Sequence, residues 1–353
     1  MKLRDVLKPL KVIAPEKTAE PWDNVGLQIG DINQDIKRAL LTIDITNEVI
    51  EEAIAKECQL IISHHPLIFK PLKNLTTNSV VSRLALKASQ SNLAVYASHT
   101  NLDLAENGVN RALGAALGFE RGKGLVSLGY QEFVKLVTFV PEENASVLRE
   151  ALWQSGAGLI GNYDHCSYET LGTGRFRPLQ GSEPFIGRQG EDEKVNELRI
   201  ETIVPLEGYT DLLTQIKKLH PYEEPVIDVY QLQYPKKSRY MGEIIKLKES
   251  LALEAILKHW QKNTLFYGDK KEFKHIAILG GSGSVGLNYA LKDKVDLFIT
   301  GELDYHELLL AQEEGLAVLL LGHGASEAPV LKFLANTVPI ETVIASTPYL
   351  TTL

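Results

Sequence analysis

Short apolar runs alternate with amphipathic stretches along most of the chain, the pattern of parallel strands joined by helices. In the N-terminal part the pattern predicts a helix over residues 2–13, stopped near Pro15. A turn-rich stretch from Trp22 to Gly30 follows. A strand is expected at Arg38–Asp44 and a helix at Thr46–Lys56, with Thr46 as N-cap. Next come a strand at Gln59–His64, a helix at Val80–Ser89 and a strand at Leu93–Ser98. A helix over Glu106–Leu117, closed by Gly118, ends this part.

The rhythm changes near residue 128. Phe133–Val140 alternates as a strand, Ala145–Gln154 reads as a helix, and Cys166–Phe176 and Leu198–Val204 read as strands. A helix at Tyr209–Leu219 and a strand at Val226–Leu232 complete a βαββαβ order, the ferredoxin-like arrangement. From Tyr240 the α/β rhythm resumes. Strands are expected at Glu243–Leu247, His275–Leu279, Val295–Thr300, Ala317–Leu321 and Glu341–Ser346. Helices are expected at Leu251–Gln261, His306–Gln312 and Ser326–Asn336. The fold class is therefore α/β: one domain in two halves, residues 1–128 and 237–353, interrupted by an inserted ferredoxin-like α+β domain at 129–236. Both halves carry two apolar runs ending in polar residues. Ile61–His65 echoes Leu297–Glu302, and Ala94–His99 echoes Ala317–His323. Duplication and generic α/β sequence both produce such an echo.

Composition narrows the class. The 353 residues are 44% apolar and 23% charged, as in an ordinary globular protein. A net charge of −8 argues against general nucleic-acid binding but leaves room for a nucleotide or small phosphate ligand. The two cysteines, Cys58 and Cys166, give no disulfide framework. The N-terminal segment lacks the apolar core of a signal peptide, and no stretch approaches a membrane span. A cytoplasmic protein is the expectation.

Chemistry concentrates at four strand ends: His64-His65, His99 with Asp103, Glu302 with Asp304 and His306, and His323 with Glu327. Five of the nine histidines lie in these segments. The C-terminal ends of strands are where open α/β sheets bind ligands. Pro66 biases His65 toward extended backbone, where neighbouring side chains point to opposite sides. The two imidazoles then suit two ions better than one. Imidazole and carboxylate together suit zinc, iron, manganese or cobalt rather than calcium. With a bridging carboxylate, such a set fits two ions ~3.5–4 Å apart. Each part also has a plainer reading. Ser326 is placed to cap a helix with Glu327 in its first turn, where the dipole favours a carboxylate. Asn101 and Asp103 fit an ordinary turn.

Several of these segments carry a resemblance. Ser63-His64-His65-Pro66, His99-Thr100-Asn101-Leu102-Asp103 and Gly322-His323-Gly324-Ala325-Ser326-Glu327 resemble motifs of the NIF-three-like family, whose bacterial members are also named GTP cyclohydrolase 1 type 2 homologs. Asp23-Asn24-Val25-Gly26-Leu27 and Thr300-Gly301-Glu302 resemble two more of its motifs. The resemblance implies a two-metal site on His64, His65, Asp103, His323 and Glu327. It also implies a toroidal homohexamer with metal sites facing an internal cavity. The segment His220-Pro221-Tyr222-Glu223-Glu224-Pro225 makes the inserted block similar to the PII/CutA-like insert of the longer members. The expected function is that of a dinuclear metal-binding protein acting as a metal-dependent, GTP cyclohydrolase-like hydrolase. The alternative is a regulatory protein whose insert senses a ligand. The expected cofactor is two divalent transition-metal ions per chain, zinc, iron or manganese. His99 and Glu302, not needed as ligands, are the candidates for acid/base work.

Gly281-Ser282-Gly283-Ser284-Val285-Gly286 matches G-x-G-x-x-G after a strand. The acidic residue a dinucleotide site needs is poorly placed, since Asp296 opens the next strand and Glu302 follows it. Gly281, Ser282 and Gly283 are kept as a candidate phosphate cradle, alongside a plain structural turn.

Overall fold

The computed structural model describes residues 1–161, 163–234, 237–260 and 263–350. The chain divides into two compact units, Met1–Leu128 with Arg239–Leu353, and Gly129–Ser238. Three sheets and twelve α-helices are formed among the described residues.

The first unit holds two sheets. One is ordered Gly26–Ile29, Ala94–Ala97, Leu60–Ser63, Arg38–Thr42, Glu341–Ile344. All neighbours are parallel except the edge strand Gly26–Ile29. The other is ordered Leu265–Tyr267, Ala317–Leu320, Leu297–Glu302, Glu272–Ser282, Lys237–Ala252, Lys123–Gln131. Its middle three strands are parallel, and Leu265–Tyr267 is again an antiparallel edge. The echo in the sequence has a counterpart here. Leu60–Ser63 and Leu297–Glu302 are interior strands of the two parallel sets, and Ala94–Ala97 and Ala317–Leu320 each lie between that strand and the antiparallel edge. The parallel strands are apolar on both sides because both faces are covered. Leu41, Ile62 and Tyr96 enter one core cluster, while their neighbours Leu40, Ile61 and Val95 enter another. Ile278 and Ile299 likewise face a different cluster from Leu279 and Phe298.

Several expected boundaries move. The helix expected at Leu251–Gln261 covers only Leu253–Leu257. Leu251 and Ala252 pair instead with Phe273 and Glu272, so the sheet ladder claims the residues that propensity assigns to the helix. Gln261 lies outside the described residues. The helix expected from Glu106 starts at Val109, after Gly108, where a Cβ would sit 1.8 Å from the Leu102 carbonyl. The turn-rich stretch after Trp22 contains the strand Gly26–Ile29. No helix among the described residues is long and apolar enough to cross a membrane.

The second unit has one antiparallel sheet, ordered Ser167–Phe176, Glu193–Pro205, Phe133–Pro141, Ile227–Gln231. The helices Ala145–Gln154 and Tyr209–Leu219 bury Leu148, Leu152, Leu212 and Ile216 against Leu136 and Ile200 of the sheet. The His220–Pro225 segment is tied down at three points. His220 Nε2 donates to the Phe139 carbonyl (2.9 Å), its Nδ1 accepts from the Tyr222 amide (3.1 Å), and the Tyr222 hydroxyl donates to Glu197 (2.7 Å).

Candidate metal centre

Parallel strands of both sheets deliver their C-terminal ends to one place in the first unit. Leu60–Ser63 runs directly into His64 and His65. Ala94–Ala97 is followed by His99 and the short helix Thr100–Asp103. Ala317–Leu320 is followed by the short helix His323–Glu327. That helix corrects an expectation. Glu327 closes it and does not sit in the first turn of the next helix, which begins at Val330 after Pro329. Ser326 caps no helix; its hydroxyl donates to the His323 carbonyl and accepts from the Gly281 amide. The spacing His323 to Glu327 places both side chains on one helical face, and His323 Nε2 lies 3.1 Å from Glu327 Oε1.

Glu327 is the hub. Its side chain is 5% exposed. Oε1 is 3.7 Å from His64 Nε2, and Oε2 is 3.3 Å from His65 Nε2. Asp103 Oδ1 lies 3.6 Å from His64 Nε2. The histidines share one arrangement. His64 Nδ1 donates to the Ser98 carbonyl (2.9 Å), His65 Nδ1 to Asp44 (2.8 Å), and His323 Nδ1 to Glu302 (2.9 Å). Each bond places a proton on Nδ1 and turns Nε2 toward Glu327, the orientation found in histidines that bind metals. His99 repeats the device, with Nδ1 bonded to Asp23 (3.0 Å). Its ring centroid is 5.2 Å from His64 and 5.3 Å from His65. Two groups have ligand atoms all within 4.8 Å of one another: His64, His65 and His99; and His65, His323 and Glu327. His99, expected outside the ligand set, is thus within ligand reach.

The electrostatics follow from this crowding. Burial works against the charged form of His65, but Asp44 and Glu327 outweigh it and hold the ring at about 10. Contact with Glu327 raises His323 to about 9 against the cost of burial. Burial likewise opposes a charge on His64, and Asp103 and Glu327 override it upward. Glu327 is held well below its ordinary value by the three imidazoles, despite burial. Asp103 is pushed upward by burial. Asp23, with a fully buried side chain, is held at about 2, the hydrogen bonds from His99 and Thr100 overcoming desolvation. Without metal, the carboxylates draw protons onto the rings.

A test of fit comes from unsatisfied atoms. His64 Nε2 and Glu327 Oε2 are buried without a hydrogen-bond partner. Such groups cost ~1–3 kcal/mol each when left unpaired, more when charged. Two of them a few ångströms apart, among imidazoles whose Nε2 atoms converge on one carboxylate, suit a divalent cation. The residues present therefore fit a metal ion.

The remaining candidates divide. Glu302 reaches the site through its hydrogen bond with His323 Nδ1. Asp304 caps the helix Tyr305–Glu313 in a capping box with Glu307, and His306 lies in that helix beside Tyr305. Of the candidate phosphate cradle Gly281, Ser282 and Gly283, the two glycine amides are engaged within the chain. The Gly281 amide donates to Ser326, and the Gly283 amide to the Glu302 carbonyl. Amides already engaged cannot serve an anion. Gly281 has φ +67°, and a Cβ there would lie 2.5 Å from Glu327 Oε1. The glycine makes room for the hub carboxylate. Sequence reasoning did not single out Asp44 as a site residue, and it met Asp23 only as part of a motif. Asp44 stands just past the strand Arg38–Thr42, so the strand-end rule that found His64 could have found it.

A family model for Duf34/NIF3 (NGG1p interacting factor 3) matches residues 1–345. The chain belongs to this family. A GTP cyclohydrolase 1 type 2 homolog of Halalkalibacterium halodurans is 38% identical over 320 residues, covering 89% of this chain and 86% of that protein. A Bacillus subtilis protein of the same description is 36% identical over 337 residues, covering 92% and 88%. The crystal structure of a Bacillus cereus protein related to NIF3 superposes with a TM-score of 0.77 at 32% identity, covering 100% of this chain and 99% of that one. Membership in the Duf34/NIF3 family thus extends across both halves that supply the cluster.

Proposed function

We propose that this Duf34/NIF3 protein is a dinuclear metal-binding hydrolase with His64, His65, Asp103, His323 and Glu327 as ligands. The observation that carries the reading is the pair of buried, unpartnered atoms, His64 Nε2 and Glu327 Oε2, inside a cluster of outward-free imidazole nitrogens. Glu327, with its two oxygens near different histidines, would serve both ions. Zinc, iron or manganese suits this mixed N/O set. When bound, such an ion supplies a Lewis acid and a water that ionises near neutral pH.

The chain's own residues do the rest. Ser98, Asp44 and Glu302 fix the rings of His64, His65 and His323. Asp23, itself held by the Thr100 amide and hydroxyl, fixes His99 with Nε2 free. His99 Nε2 is the atom placed to take or return a proton during hydrolysis. The names of the relatives point to GTP as the first substrate to try.

The strand order of the second unit supports a ferredoxin-like, PII/CutA-like insert spanning residues 129–236, between halves at 1–128 and 237–353. We also propose that the chain assembles as a toroidal homohexamer. The exposed apolar residues Val285, Tyr305 and Leu309 on neighbouring helices support a self-association surface, which sedimentation would test.

Elemental analysis after purification from metal-supplied medium tests the centre: two ions per chain are expected, and no more than trace metal overturns it. Formate release from GTP by the loaded protein would support ring opening. His99→Ala should lower turnover more than metal content. If the loaded protein turns over no nucleotide, phosphoester or amide, a regulatory role with a ligand-sensing insert replaces the hydrolase.

A further inference from the structure

Two aromatic side chains stand bare beside the metal cluster. Trp22 is 59% exposed and Phe69 is 44% exposed. Their ring centroids are 5.9 Å apart with planes tilted by 58°, so neither ring covers the face of the other. Trp22 also meets His99 edge-on, centroid to centroid 6.2 Å at 74°. A large apolar ring left in water forgoes the stabilisation that burial gives. Here two of them lie side by side, next to His99, whose Nδ1 is held by Asp23.

The pair is held, not loose. Trp22 precedes Asp23, whose carboxylate accepts from His99 Nδ1, the Thr100 amide and the Thr100 hydroxyl. Phe69 follows Ile68, whose amide donates to Gln28 Oε1 (3.0 Å) and whose carbonyl accepts from Gln28 Nε2 (3.1 Å) and Asn24 Nδ2 (2.5 Å). The same short segment, residues 22–28, thus fixes both rings. Trp22 is set beside the carboxylate that fixes His99, and Phe69 beside the backbone that Asn24 and Gln28 hold. Nothing in the packing of the core needs them there.

We propose that Trp22 and Phe69 form a stacking platform for a planar heteroaromatic ring, a nucleobase, at the mouth of the metal centre. This rests on reading the cluster as the hydrolytic site. Offset and edge-on contacts suit flat π systems, and stacking on one aromatic side chain is sequence-tolerant among bases. A base seated there has His99 at its edge. The exposed Lys70 and Lys73 follow Phe69 on the same loop.

The test is equilibrium dialysis of the metal-loaded full chain against two probes, guanosine 5′-monophosphate and ribose 5-phosphate. They share the sugar and phosphate and differ in the base. The wild type should retain the nucleotide at least tenfold more tightly. Phe69→Leu and Trp22→Leu keep apolar bulk but remove the ring. Each should weaken nucleotide binding by about tenfold, within the ~5- to 150-fold that base–aromatic stacking supplies. Neither should change metal content, measured on the same samples. Equal retention of the two probes overturns the proposal. So does wild-type affinity in both Leu variants, which would make the pair a plain apolar surface. Burial of the rings by a second copy would show as no retention that improves on dilution, and would overturn it too. Absence of metal with intact base-dependent binding would instead strike the metal reading and leave the platform standing.

Discussion

Metal uptake by this protein should release at least two protons per chain at neutral pH. His65 is held at about 10 and His323 at about 9 in the metal-free cluster, so both rings are protonated at pH 7.5. Coordination through Nε2 requires both protons to leave. Each costs a factor of ten in affinity per pH unit below the pKa, about 1.4 kcal/mol. The logarithm of the affinity should therefore climb by about two or more per pH unit between about pH 6.5 and 8.5. Ordinary imidazoles, with pKa about 6.5, would be mostly neutral at pH 7.5 and would release only about 0.2 proton together. The two cases differ tenfold in an observable. Calorimetric titration with zinc in buffers of different ionisation enthalpy measures the proton count directly. A count below about half a proton would refute the reasoning that Glu327 and its neighbours load the rings.

Glu302→Ala should free the His323 ring and weaken metal binding by ~10–100-fold, with stoichiometry restored at high metal and Glu302→Gln recovering part of the loss; a metal-competition assay with a chelator reads it. Asp23 contributes stability because its folded pKa lies below its unfolded one. That contribution, at most ~2.5 kcal/mol, is present above about pH 4 and lost as pH falls toward 2, so the Tm gap between wild type and Asp23→Asn should close on acidification. Gly281→Ala should cost ~1–2 kcal/mol from left-handed backbone alone, seen in a denaturant melt, and should lower metal content as well, because its Cβ displaces Glu327. Replacing residues 129–236 by a short Gly/Ser linker should leave a folded first unit that still binds metal by elemental analysis; an unfolded product under conditions where the full chain is stable would contradict the unit's independence.

Much of the first unit was legible because its strands are short, apolar on both faces and separated by amphipathic runs. The strand ends drew attention to His64, His65, His99 and His323 for the same reason. What stayed hidden was set by tertiary pairing. The run after Leu251 reads as helix, yet Leu251 joins a ladder with Phe273 that no local pattern announces. Glu327 looks like helix-end electrostatics until Pro329 is seen to split the stretch into two helices. Asp23 lies in a turn-rich stretch far from His99 in sequence, and only the fold joins them. Glu302 is next to the chemistry in both readings, and only the fold shows its hydrogen bond to His323. The glycine motif shows the limit most clearly: the same residues that resemble a phosphate loop are there to clear space for a carboxylate.

The two halves of the first unit each bring an incomplete set of groups to the cluster. His64, His65, His99 and Asp103 come from strands made early, and His323 and Glu327 from a strand made after the whole insert. A growing chain on the ribosome therefore carries exposed imidazoles long before their shared carboxylate exists. It can hold metal only as loosely as solvent-facing histidines do. Tight loading of a metal ion would then have to wait until the second sheet docks on the first, so metal content would report that synthesis and folding of this unit were both finished.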